Sequence, residues 1–207
     1  RDQAELDQGL GLDAELTLGL PPKVTAATGI DAMVHAIEAY TSKRLKNPLS
    51  DALARDALRL LGGNIHEACR NGTNREARHN MLLGSMLAGM AFANAPVAAV
   101  HALAYPVGAR FHVPHGLSNS LVLPQVIRFN ASSAEKHYGE LATILIPHAK
   151  GNSADHTKAL AFIHGLNDAG VMKQGKEIDR LSKTQRGFTI LKGTECDILK
   201  DGSLDLP

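Results

Sequence analysis

Apolar residues along the chain recur mostly at three- and four-residue steps, the period of helices that bury one face. The first such segment covers residues 25–40, where Ala27, Ile30, Val34 and Ile37 mark the apolar face. Lys46-Asn47-Pro48 breaks it, and Ser50 is read as the N-cap of a second helix running to about Glu67. A turn at Asn71-Gly72-Thr73 leads into a third helix, rich in Met, Leu, Ala and Gly over residues 81–90, as suits a helix surrounded by others. Its methionines, Met81, Met86 and Met90, are read as core packing, and Pro96 ends or kinks it. Residues 97–110 are apolar enough for another buried helix, and the loop Val113-Pro114-His115-Gly116 opens a further one through Leu123. Amphipathic segments follow at 134–146 and 154–169. No convincing strand pair emerges, so the pattern predicts an all-α, multi-helix bundle over residues 25–170. Residues 1–24 are irregular, with Gly9, Gly11, Gly19 and Pro21-Pro22, and have room for one strand at most. The tail 171–207 is polar and glycine-punctuated; Thr189-Ile190-Leu191 suits a short strand, but nothing obvious pairs with it.

Composition narrows the class more than it identifies it. Of 207 residues, 44% are hydrophobic and 21% charged, ordinary for a globular protein with a real core. The formal net charge is +1 without long runs of one sign, which argues against a nucleic-acid partner or an anionic membrane surface. The stretch 81–100 is the most apolar, but Gly84, Gly89, Asn94 and Pro96 break it, so it reads as a buried helix rather than a span. Cys69 and Cys196 form no CxxC pair, and the first residues lack the apolar core of a signal peptide. A reducing cytoplasm is the simplest location. Ten histidines stand out, and they matter only where some converge.

Asp31 and His35 lie four apart in the first helix and project from one face. A carboxylate and an imidazole aimed together are half of a divalent-metal site, though a pair at this spacing is more often a surface ion pair or helix contact. His101 sits in an apolar run, where an imidazole is costly unless something satisfies it, either a hydrogen-bond partner or a metal. His115, between Pro114 and Gly116, has a constrained backbone and an open approach to a ligand. Together, three histidines and one aspartate would make a mononuclear site for Fe(II) or Zn(II). His112 lies three residues before His115 and reads as a supporting or surface residue. His66, His79, His137, His148, His156 and His164 read as solvated. Ser118 and Asn119 suit either the pocket lining or, more plainly, helix capping.

Residues 28–40 (TGIDAMVHAIEAY) resemble the first signature of the iron-containing, group III alcohol dehydrogenases. Residues 100–108 (VHALAYPVG) and 111–116 (FHVPHG) resemble the second, and 16–22 (LTLGLPP) and 123–130 (LPQVIRFN) are similar as well. The resemblance covers roughly residues 10–170. It implies a helical bundle of the dehydroquinate synthase-like C-terminal type, with Asp31, His35, His101 and His115 as metal ligands. It also implies an enzyme moving hydride between an alcohol or aldehyde substrate and NAD(P), with Fe(II) or Zn(II) polarising the substrate oxygen, and a homo-oligomer. Many members carry a second histidine four residues after the one opening the second motif; here Tyr105 stands there, a weaker base at neutral pH but able to pass a proton. The family's N-terminal α/β nucleotide domain and its glycine-rich turn are absent from these residues. Residues 1–24 read as its remnant and linker, and Thr17 as a residual contact to the cofactor. The tail after Gly170 diverges from the family's closing helices. Two functions follow: an alcohol dehydrogenase of which this chain carries the metal half, or a metal-binding helical fragment without independent activity.

Overall fold

The computed structural model describes residues 11–145, which form a short 3-10 turn and five α-helices with no strand among them. The 3-10 turn is Ala14–Thr17; the helices are α1 (Pro22–Thr41), α2 (Pro48–Arg70), α3 (Arg75–Asn94), α4 (Ala99–Phe111) and α5 (His115–Leu145). The expected all-α bundle is therefore what these residues build. The segment 154–169 and the tail 171–207 lie outside the described residues. Among those described, no single helix is long and apolar enough to cross a membrane.

Start signals place the helices slightly differently from the apolar period. α1 begins at Pro22, before the periodic segment, because a proline at the first helical position already has the helical φ and lacks only an N–H that would go unpaired. Ser50 is not the N-cap of α2. Asn47 is: its carboxamide oxygen accepts from the Leu49 and Ser50 N–H groups, while the Ser50 hydroxyl accepts from the Asn47 N–H, closing a capping box around Pro48. α3 ends before Pro96, as expected. α5 runs on past Leu123 through the buried Pro124 and breaks only at Ala134, whose φ of −125° and ψ of 17° leave the helical region. The expected helix through Leu123 and the amphipathic segment that starts at 134 thus belong to one bent rod, described to Leu145.

α1 is the central element. Eleven of its 20 residues are buried, so it has no solvated face of any width. It packs against α2, α3 and α5, while α2 lies on α3 and α4 on α5. Gly29 allows the close approach: a Cβ there would meet Met81 Cε at 2.6 Å and Ile65 Cδ1 at 3.0 Å. In α3 the buried stripe runs through Met81, Gly84, Ala88 and Ala91 at helical spacing. Met90 lies off that stripe and is exposed, contrary to its expected place in the core, and Met86 is half-buried. The buried Arg78 fixes the start of α1, donating to the Leu20 and Gly72 carbonyls and to the Thr25 hydroxyl. At the other end of α1, the Tyr40 hydroxyl donates to Glu140 Oε2 of α5 at 2.6 Å. With both ends held, α1 presents its middle residues in fixed positions to α4 and α5.

Candidate metal centre

Three helices meet where α1 carries Asp31, α4 carries His101 and α5 begins with His115. One carboxylate oxygen and two imidazole nitrogens from these residues all lie within 4.8 Å of one another. Asp31 Oδ1 is 3.5 Å from His101 Nε2 and 3.4 Å from His115 Nε2. His101 is buried, on the third residue of α4, and His115 is largely open to solvent.

The approach of α5 to α1 depends on Gly116. A Cβ at that position would lie 2.0 Å from the Ala27 carbonyl oxygen and 2.6 Å from its carbon, so backbone meets backbone there. Ala27 is one turn before Asp31, and His115 precedes Gly116. The glycine therefore sets the distance between the two side chains, a sharper role than leaving the histidine unhindered.

His35 is near but not within the converging set. Its ring stacks on His101 at 4.4 Å between centroids and 7° between planes, and on Phe92 at 4.5 Å on another side. Tyr105 is exposed, one turn beyond His101, with its ring stacked on His115 at 5.5 Å. Thr17 closes the 3-10 turn and donates its hydroxyl to the Ala14 carbonyl. His112 is the exposed left-handed residue ending α4, with φ of 55°, which fits a surface role. His66 and His79 are exposed, and His137 packs edge-on against Tyr40; the later histidines lie outside the described residues.

Two buried polar residues join the cluster: Asn119, read from the sequence as pocket lining or a cap, and Glu38, which the sequence had not marked. Asn119, one turn after His115, donates through Nδ2 to Asp31 Oδ1 and faces His115 Nε2 at 3.2 Å and His101 Nε2 at 3.3 Å. It is therefore not the cap expected of it; Ser118 instead bonds back to the Val113 and Pro114 carbonyls. Glu38, two turns after Asp31, reaches His101 Nδ1 from the opposite side at 2.6 Å. The clue to Asn119 was its spacing of four from His115, and to Glu38 a lone charge inside Ala36-Ile37-Glu38-Ala39-Tyr40.

The electrostatics favour positive charge at the point of convergence. Burial pulls the His101 pKa down, but hydrogen bonds to and charges on Asp31 and Glu38 outweigh it and raise the value to about 9. Burial alone would raise Asp31, yet the His101 hydrogen bond, the His35 and His115 imidazoles and the Asn119 amide hold it below the usual carboxylate value. His35 is lowered, chiefly by burial. The Asn119 amide nitrogen lies against Asp31 Oδ1, His115 Nε2 and His101 Nε2, and its own Oδ1 is buried without a partner among the described residues. A mixed carboxylate–imidazole set with an unpaired buried carbonyl oxygen beside it fits a divalent cation of the Fe(II) or Zn(II) kind.

Comparison with known proteins identifies the family of the chain. Residues 25–177 match the family model of the Fe-containing alcohol dehydrogenases, C-terminal part. The chain belongs to the Fe-containing alcohol dehydrogenase family. It is 48% identical over 134 residues to long-chain-alcohol dehydrogenase 1 of Geobacillus thermodenitrificans, an alignment covering 65% of this chain and 34% of that protein. A crystal structure of a 1,3-propanediol oxidoreductase superposes with a TM-score of 0.73 at 38% identity, covering 76% of this chain and 41% of the other. Sulfoacetaldehyde reductase from Bifidobacterium kashiwanohense, solved in complex with NAD+, matches with a TM-score of 0.63 at 30% identity, over 84% and 46%. The chain thus spans from about a third to just under half the length of these family members.

Proposed function

We propose that the chain is the metal-holding half of an NAD(P)-dependent alcohol dehydrogenase acting between a small alcohol and its aldehyde or ketone. The observation that carries this reading is the meeting of Asp31, His101 and His115 from three separate helices within 4.8 Å. These three, with His35 one turn after Asp31, would hold Fe(II) or Zn(II). Asp31 supplies the negative charge and the imidazoles supply neutral donors. Such a metal would supply Lewis acidity toward a substrate oxygen, and a nicotinamide would supply the hydride chemistry.

The chain's own residues do the rest. The inner side of the site, with buried His101 and Asn119 and half-buried Asp31, holds charge partly away from water, where its influence is less screened. Substrate enters on the His115 side, where solvent reaches the imidazole. Tyr105, exposed and stacked on that ring, passes the proton between the reacting oxygen and water. Thr17 contributes a hydroxyl to the cofactor. The working protein is a cytoplasmic homo-oligomer.

The test loads the purified chain with Fe(II) or Zn(II), removes excess and measures retained metal. The expected result is a single equivalent in the wild type and none in Asp31→Ala or His101→Ala. A wild type that retains no metal overturns the reading. Assayed with NAD+, NADP+ and a panel of short alcohols, the loaded chain should form reduced nicotinamide. Metal retention without any turnover favours the other function, a metal-binding helical fragment without independent activity.

A further inference from the structure

We propose that Glu38 is a positioning residue that decides which nitrogen of His101 is offered to the metal, using one carboxylate to hold both the imidazole and the start of α4. This rests on the reading of Asp31, His101 and His115 as metal ligands.

The geometry is that of a two-handed clamp. Glu38 Oε1 accepts from the Val100 N–H at 2.7 Å, and Oε2 lies 2.6 Å from His101 Nδ1. Both side chains are buried: Glu38 is 4% exposed and His101 1%. α4 has no cap of its own, because its N-cap residue is Ala98 and the flanking positions are apolar. The Val100 N–H is one of the donors that a helix start leaves unpaired. Glu38 satisfies it from a different helix, and its negative charge suits the positive end of the α4 dipole. A buried carboxylate of this kind needs such donors to be tolerated.

That anchoring fixes the chemistry of the imidazole. An unprotonated Nδ1 would set two lone pairs against each other at 2.6 Å, so Nδ1 carries its hydrogen and donates to Glu38. Nε2 is then the nitrogen left facing Asp31 Oδ1 and Asn119 Nδ2, where the donor atoms converge and where a metal would replace its proton. α1 thus places one carboxylate on each side of His101, Asp31 toward Nε2 and Glu38 toward Nδ1, seven residues apart on one helix face. Partners of this kind fix the tautomer of metal-binding histidines and strengthen them as donors.

The experiment uses the full 207-residue chain and Zn(II) alone as probe. In Glu38→Gln a single acceptor oxygen must serve two donors, and an amide NH2 set against Nδ1 would drive the proton to Nε2. Chelator competition should show zinc affinity reduced about 10- to 100-fold, with thermal melting still cooperative. Long-range proton–nitrogen NMR of the zinc-loaded wild type should find Nε2 of His101 bound to metal and Nδ1 protonated. Should the variant fail to fold, that spectrum decides the matter. Equal zinc affinity in wild type and a folded Glu38→Gln, or zinc on Nδ1, overturns this inference while leaving the metal reading standing. A wild type that takes up no zinc overturns the metal reading, and this inference with it.

Discussion

The two sides of α1 solve the problem of close packing differently. Toward α2 and α3 it meets apolar side-chain tips: Gly29 faces Met81 Cε and Ile65 Cδ1, and across the neighbouring contact Gly84 of α3 faces Leu61 and Leu60. Toward α4 and α5 it meets backbone and directed polar groups: the Ala27 carbonyl against Gly116, Glu38 against the start of α4, and Asp31 against Asn119 and two imidazoles. Flexible tips can move aside, and a volume change there is shared among many contacts. Carbonyls and fixed donor atoms cannot, because shifting one moves a helix and every ligand on it. The side that carries the chemistry is therefore the stiffer one.

The strongest way to break this contrast is Gly116→Ala. The added Cβ would sit 2.0 Å from a backbone oxygen, so α5 must move away from α1 and take His115 with it. The expected cost is on the order of 3 kcal/mol in stability. Metal retention should fall further than stability does, because the His115–Asp31 spacing changes directly. Thermal melting of the metal-free protein and chelator competition on the loaded one measure the two effects separately. Metal binding that survives unchanged would show that the α1–α5 contact does not set the site.

The sequence made the apolar side legible and only part of the polar one. Helical periods announce α1 to α4 because buried positions at three- and four-residue steps leave their mark whatever the partner helix. Asp31, His35, His101 and His115 were readable as candidates because residue types able to hold a metal are few and these lie in long motifs. The convergence of Asp31 with His101 and His115 is a tertiary fact, and so is the stack that sets His35 beside the set rather than in it. Glu38 escaped for the same reason, and Asn119 stayed undecided between pocket lining and cap: an amide four residues after a histidine suits either until a second helix is placed against it. The boundary of α2 was misread because Ser50 and Asn47 are both good caps, and the choice turns on Pro48 preferring the first helical position.

A smaller effect separates the two sides by pH. The folded His101 has its pKa raised from 6.5 to about 9, so its contribution to stability is complete below pH 6.5 and is lost as pH rises through about 9. His35 is lowered, so its contribution is present above 6.5 and is lost as pH falls below it. Metal-free protein should therefore melt highest near pH 6.5 and lose several degrees toward pH 9. Metal affinity should run the other way over the same window, because binding at Nε2 releases the His101 proton. Melting curves with and without Zn(II) test this, and a metal-induced stabilisation that shrinks with rising pH would contradict it. The apolar side of α1 contributes nothing to either slope.

The smallest effect expected is Gly29→Ala, the counterpart of the Gly116 change on the other face of the same helix. The new methyl would meet Met81 Cε at 2.6 Å and Ile65 Cδ1 at 3.0 Å, closer than atoms comfortably pack. Both, however, are the far ends of side chains with rotamers to spare, and methionine is the most adaptable of core residues. Alanine also gains about 1 kcal/mol over glycine in a helix interior, which offsets much of the repacking cost. The net change should stay within about 1 kcal/mol, with zinc affinity unaltered. Two glycines at opposite contacts of α1, each replaced by the same residue, should thus differ in stability and still more in metal binding. If Gly29→Ala weakened metal binding as much as Gly116→Ala, α1 would be transmitting strain from its apolar side to its polar one, and the division between the two would fail.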